Sequence, residues 1–221
     1  MSEGDRLLAI VRATGDSEAS HSLLNEFFSG YSLENLRTLL RSDEEKSVRA
    51  GVWIASELGD RCSEVLEDMR PLLHHASRYV RFFAVDCILL AAEPWQTDLL
   101  GSAAGLVWDE DAAVRWKALT FLTNTTVGQL LGAAHGTVEP WFSAELEWLA
   151  SLGPGDSEAV RMRLGSSKST VRRLGAAAAA RLAASSIQLL ELASANSDPD
   201  VASFAAEQLA LGRIKRSKKA K

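Results

Sequence analysis

The residues best suited to chemistry are few, and their spacing removes most of them. His74 and His75 are adjacent; on a helix neighbouring side chains point about 100° apart, so the two rings cannot imitate the i, i+4 ligand pair of a helical zinc site. His21 and His135 stand alone in the chain. The run Gly165-Ser166-Ser167-Lys168-Ser169-Thr170 has the lysine and hydroxyls of a phosphate loop. That loop, however, requires glycine at 162 and 167, where Met162 and Ser167 stand. Asp109-Glu110-Asp111 concentrates three carboxylates, which helix capping and the helix macrodipole account for. Cys62 and Cys87 form no CxxC pair and read as buried, reduced thiols. No GxSxG elbow is present. The expectation is a chain with no catalytic residue, no metal site and no cofactor.

Composition points the same way. The 221 residues are 47% hydrophobic, enough for a substantial core without a disulfide or metal staple. Acids and arginines interrupt the apolar positions of the first thirty residues, so no signal-peptide core is read there. No run approaches the roughly 20 apolar residues of a membrane span. A soluble, cytoplasmic protein is expected. The net charge of −5 hides an asymmetry: six of the 24 Lys and Arg side chains fall in the last nine residues, leaving 18 against 29 acids elsewhere, a net of −11. Such a body repels phosphate backbones and attracts basic partners. The segment 213–221 reads as a disordered basic tail, whose Arg213, Lys215, Arg216, Lys218 and Lys219 form the candidate surface for nucleic acid or another anionic partner.

The periodicity of the rest is helical throughout. Leu7, Leu8 and Val11, then Leu23, Leu24, Phe27 and Phe28, predict a capping helix pair over 1–30. Gly30 ends it, and Ser32 starts a helix over Leu33 to Leu40. From there a valine opens each second helix of a hairpin: Val48, Val80, Val114, Val171 and Val201, at steps of 32, 34, 57 and 30 residues. A period near 30 to 34 is a solenoid period, in which each hairpin buries its apolar face by stacking on its neighbours. The 57-residue step predicts two units with one degenerate signature between them. Residues four beyond each marker, and eight beyond it in four of the five, share its stripe and are predicted to face inward. The chain therefore divides into 31–127 as a regular half, 128–158 as an irregular or degenerate repeat, and 159–212 as C-terminal repeats. The fold class expected is all-α, a right-handed α-solenoid of stacked antiparallel helical hairpins.

Val48-Arg49, Val80-Arg81, Val114-Arg115 and Val171-Arg172, each following an apolar helix and a polar turn, resemble the short form of the HEAT repeat over residues 33–211. Val201-Ala202 lacks the arginine. The resemblance implies that these arginines are structural, tying turns through acids such as Glu45, Asp111 and Asp198. HEAT-like hydroxylases use His-Glu pairs, and this chain has none. HEAT-like alkylbase glycosylases use Trp and Asp residues in a basic groove; Trp108-Asp109 and Trp116 match superficially, and a nucleic-acid-binding or DNA-repair protein is the alternative reading.

On the second helices, offsets of two, six and nine from the marker lie opposite the inward stripe and predict an exposed ridge. It carries Ile54 and Glu57, then Phe82 and Asp86, then Trp116, with Trp53 on its flank. Aromatic anchors beside carboxylates suit a protein partner. Trp53, Glu57, Phe82, Asp86 and Trp116 are thus the candidate protein-binding residues, and the partner is expected to be a basic protein. The stretch Tyr31 to Ala92 is similar to small bacterial immunity proteins that cover the cationic active sites of toxins, which makes an immunity role the expectation within a non-enzymatic adaptor function.

Overall fold

Side-chain caps written in the sequence start the helices. Ser2 and Asp5 form a reciprocal capping box, Ser32 accepts from the Glu34 N–H, Asp111 from Ala113 and Val114, and Thr126 pairs with Gln129 in a second box. Pro140 and Pro199 occupy first helical positions, where the missing N–H is harmless. The computed structural model describes the backbone through Lys219 and side chains through Gly212. No β-strand occurs among the described residues.

Two compact units result, Met1–Glu93 and Pro94–Lys221. The first contains α1 (Glu3–Thr14), α2 (Ser17–Phe28), α3 (Leu33–Leu40), α4 (Glu45–Glu57), a 3-10 segment over Gly59–Asp68, the short α5 (Met69–Leu72) and α6 (Arg78–Ala91). Helix α4 packs on both α3 and α6, and also against α1 and α2. Its stripe residues Val48 and Val52 are buried, as are Val80, Ala84 and Ile88 of α6. Each buried valine or isoleucine among them contributes roughly 1.5–3 kcal/mol of burial free energy. Asp68, almost completely buried, accepts from Arg37 at 3.1 Å and Arg41 at 2.6 Å, joining α3 to the 3-10 segment.

The second unit holds α7 (Thr97–Gly105), α8 (Ala112–Asn124), α9 (Val127–Gly136), α10 (Pro140–Ser151), α11 (Ser157–Leu164), α12 (Ser169–Arg181), α13 (Ile187–Ser194) and α14 (Pro199–Lys219). Here the 57-residue step acquires a physical form. Helix α8 packs directly on α12, while α9 packs on α7 and carries α10. Glycine permits that arrangement: a Cβ on Gly136 would stand 1.8 Å from the Thr97 carbonyl oxygen, and one on Gly132 2.3 Å from that of Pro94. Gly128, Gly132 and Gly136 recur every four residues, so one bare face of α9 lies against the Pro94 ring and the carbonyls of Pro94 and Thr97.

Long-range arginines bind the second layer together. Arg115 of α8 and Arg173 of α12 both reach Asp200 of α14, at 2.7 and 2.8 Å. Arg181 donates from α12 to the carbonyls of Leu122, Thr123 and Thr125, closing the C-terminal end of α8. Burial pulls the Arg181 pKa down. Burial also pushes the Asp200 carboxyl up, but the hydrogen bonds and charges of Arg115 and Arg173 prevail and hold it below the ordinary range.

Two measurements check this packing. Gly136→Ala destabilises the protein by about 1–3 kcal/mol or more through overpacking, whereas Gly155→Ala, with nothing within 4 Å, stays within about 0.5 kcal/mol; chemical denaturation separates them. Asp200→Ala strands two guanidinium groups and costs on the order of 3 kcal/mol at neutral pH. Because the folded Asp200 pKa is depressed, its stabilisation is fully present above the unfolded value near ~3.9 and is lost as pH falls through the lower folded value. The stability gap between wild type and Asp200→Ala therefore narrows in unfolding curves taken at successively lower pH.

Candidate functional site

The repeat arginines show what is structural and what is not. Arg81 donates to the carbonyls of His75 and Ala76, Arg115 to those of Asp109 and Glu110, and Arg172 to those of Ser166 and Ser167. Each thereby fastens the turn of its own hairpin. Arg172 also meets Asp198 at 2.8 Å, the acid expected from the sequence, and Arg115 meets Asp200 at 2.7 Å, with the charges of Asp109 and Asp111 also acting on it. Asp111 also caps α8. Arg49 is the exception. Its side chain makes no hydrogen bond among the described residues, lies 4.0 Å from Glu45, and stacks over the Tyr79 ring at 4.6 Å.

In the first unit, the expected ridge is altered by packing. Ile54 is fully buried rather than exposed, because α4 is flanked by helices on more than one side. Phe82 and Asp86 are half-buried, Phe82 lying edge-on to Phe83 with ring centroids 5.2 Å apart, and Glu57 is exposed. Trp53 is half-buried and turned toward α2, where its ring meets His21 at 4.5 Å. It lines a groove of about 440 Å³ with His21, Lys46, Arg49 and Tyr79. Of these, Arg49 was read from its motif as structural and His21 as an isolated histidine, while Lys46 and Tyr79 carry no motif and were not singled out by sequence reasoning.

Within the second unit, Trp116 is half-buried, T-shaped against Phe204 at 6.4 Å, with the Lys117 ammonium 5.5 Å from its ring centroid. It also lines a groove of about 260 Å³ together with Thr120, Asn124, Leu190 and Gln208. Asn124 and Gln208 place amide groups beside an indole, a lining able to meet both the backbone and the side chains of a polypeptide. Trp108 packs on Phe142 at 4.4 Å and Trp141 at 5.7 Å. Its neighbour Asp109 accepts the Asp111 N–H at 2.8 Å, so this Trp-Asp pair is held in a hairpin turn. His75 accepts from the Ser77 N–H at the start of α6. The side chains of Arg213, Lys215, Arg216, Lys218 and Lys219 lie outside the described residues.

Comparison with known proteins bears on the fold. No family model and no curated protein matches the chain. An engineered protein of known crystal structure is similar over 95% of this chain and 96% of its own, with a TM-score of 0.54 at 15% identity. A designed armadillo repeat protein solved in complex with the peptide (KR)4 aligns over 95% of this chain and 99% of its own, at a TM-score of 0.48 and 17% identity. Another designed armadillo repeat protein gives 0.46 at 17% identity, over 94% and 92%. Among the described residues no helix is long and apolar enough to cross a membrane. The chain has the fold of a helical repeat protein, an all-α solenoid of stacked hairpins.

Proposed function

We propose that this protein is a non-enzymatic scaffold of HEAT-like repeats that binds a basic protein. The observation that supports the reading is the combination of a strongly acidic body, net −11 over residues 1–212, with half-buried aromatic side chains on its second-layer helices. Phe82 lies beside Asp86 on α6, Glu57 ends α4, and Trp116 opens onto the amide-lined groove of the second unit. Partly covered rings are already held in place, so they bury apolar area with little loss of side-chain entropy. Exposed carboxylates raise the rate of encounter with a cationic surface rather than the intrinsic strength of the contact. An immunity-type role in a bacterial cytoplasm, with a basic toxin as partner, is the specific form of this reading.

Surface-plasmon resonance on the partner, isolated by a pull-down at low salt, tests it. Glu57→Lys with Asp86→Lys slows association about tenfold at low ionic strength, and the difference shrinks as salt rises. Trp116→Ala accelerates dissociation. Unchanged association by the charge-reversed protein overturns the proposal.

A further inference from the structure

The groove beside Trp53 has a lining unlike the rest of this acidic chain. It is bounded by the α1–α2 turn, the first half of α4 and the start of α6. Gly15, at φ 68°, lets that turn approach α4 so closely that a Cβ there would meet the Lys46 Cβ at 2.9 Å. No carboxylate lines the cavity. Asp16 accepts the Ala19 N–H at 2.7 Å as the cap of α2, and the exposed Glu45 forms a long ion pair with Arg49 at 4.0 Å.

Donors predominate instead. The side chains of Lys46, Arg49, Trp53 and Tyr79 make no hydrogen bond to the described residues, although all four line the groove. Arg49 is informative because the equivalent arginines of the other hairpins are fastened to turn carbonyls, so its guanidinium has been released from the structural duty of the motif. Half of its side chain is exposed. Burial pushes the Tyr79 hydroxyl up, against the opposing effect of Arg49, so it stays protonated and able to donate. His21 spends Nδ1 on the Ser17 carbonyl at 2.7 Å, which holds its ring across Trp53.

We propose that this groove binds a phosphate monoester, with Lys46 and Arg49 balancing its charge and the Trp53 indole N–H and Tyr79 hydroxyl donating to its oxygens. Two cations match a dianion in charge, and a planar guanidinium fork suits phosphate oxygens. A carboxylate would offer one charge and two oxygens to the same set of donors. The volume of about 440 Å³ leaves room for the esterified group against the rings. This inference is independent of the basic partner proposed above, since it requires neither Glu57, Phe82, Asp86 nor Trp116.

The test follows the tryptophan indole N–H signals of the whole chain by two-dimensional NMR, with Trp53 assigned through Trp53→Phe. Inorganic phosphate, AMP and a phosphoserine peptide are titrated to millimolar concentration, with acetate and chloride at matched ionic strength as controls. The Trp53 signal moves with the phosphate probes, and Lys46→Ala or Arg49→Ala weakens binding by a factor of about ten or more. Arg49→Lys, which keeps the charge and loses the fork, falls between wild type and Arg49→Ala and guards against a folding defect. Tighter binding of AMP assigns a small-molecule source, and tighter binding of the peptide a phosphorylated side chain. An equal response to acetate, no response to phosphate, affinity for both esters no better than for inorganic phosphate, or retention of binding in both alanine variants overturns the proposal.

Discussion

The stack depends on guanidinium groups that finish what hydrophobic burial leaves undetermined. A hairpin of this size buries its apolar stripe only against a neighbour, and burial is non-directional. Helix α12 illustrates the difficulty, since the consecutive small residues Gly175 through Ala179 are buried all round the helix and offer no large side chain to fix its register. Arginine removes that freedom. Its five donors leave a rigid plane in fixed directions, so Arg172 can hold two carbonyls of its own turn while the same fork meets Asp198 of the next hairpin. Asp200 receives Arg115 and Arg173, and Asp68 receives Arg37 and Arg41. Each buried acid is shared by two arginines or also bonded to backbone, and such complete satisfaction is what makes a buried ion pair tolerable.

Much of this organisation was legible in the sequence because it is local. The valine markers, the residues four and eight beyond them, and the caps at Ser32, Asp111 and Asp198 follow from helical period and first-turn chemistry, and the predicted helix over Leu33 to Leu40 has the observed bounds. The ridge was less legible. Counting offsets on one helix assumes one covered face, but a second-layer helix in the interior of a stack is covered on two or more, and Ile54 falls in the wider buried arc. The arginine partners were harder still. Arg181 and Arg173 reach carbonyls 56 to 66 residues away, and no local pattern distinguishes them from solvated arginines on an amphipathic helix. The glycines of α9 were visible as a four-residue recurrence, yet their partner, the backbone around Pro94 and Thr97, carries no signature of its own.

Arg49 shows why a motif cannot be read as a role. Its flanking residues match those of Arg81, Arg115 and Arg172, and its fate differs because Tyr79 of the next second-layer helix supplies a ring over which the guanidinium lies. A cation over an aromatic face is held by the ring quadrupole without a hydrogen bond to it. The same two letters of sequence thus give a fastened turn in three hairpins and an available cation in a fourth.

Net charge has the same weakness as a guide. The value of −11 describes the field at long range, whereas within about 8 Å, the Debye length at physiological salt, individual groups decide what can approach. On α4, Lys46 and Glu57 are eleven residues apart, or about 16 Å along the axis at the rise of an α-helix, which is twice that length. One helix can therefore present donors to an anion at its first turn and a carboxylate to a cationic surface at its last, with little cross-talk through solvent. The acidic character that argues against a nucleic-acid groove across the body says nothing against a small anion held by four donors in a cleft.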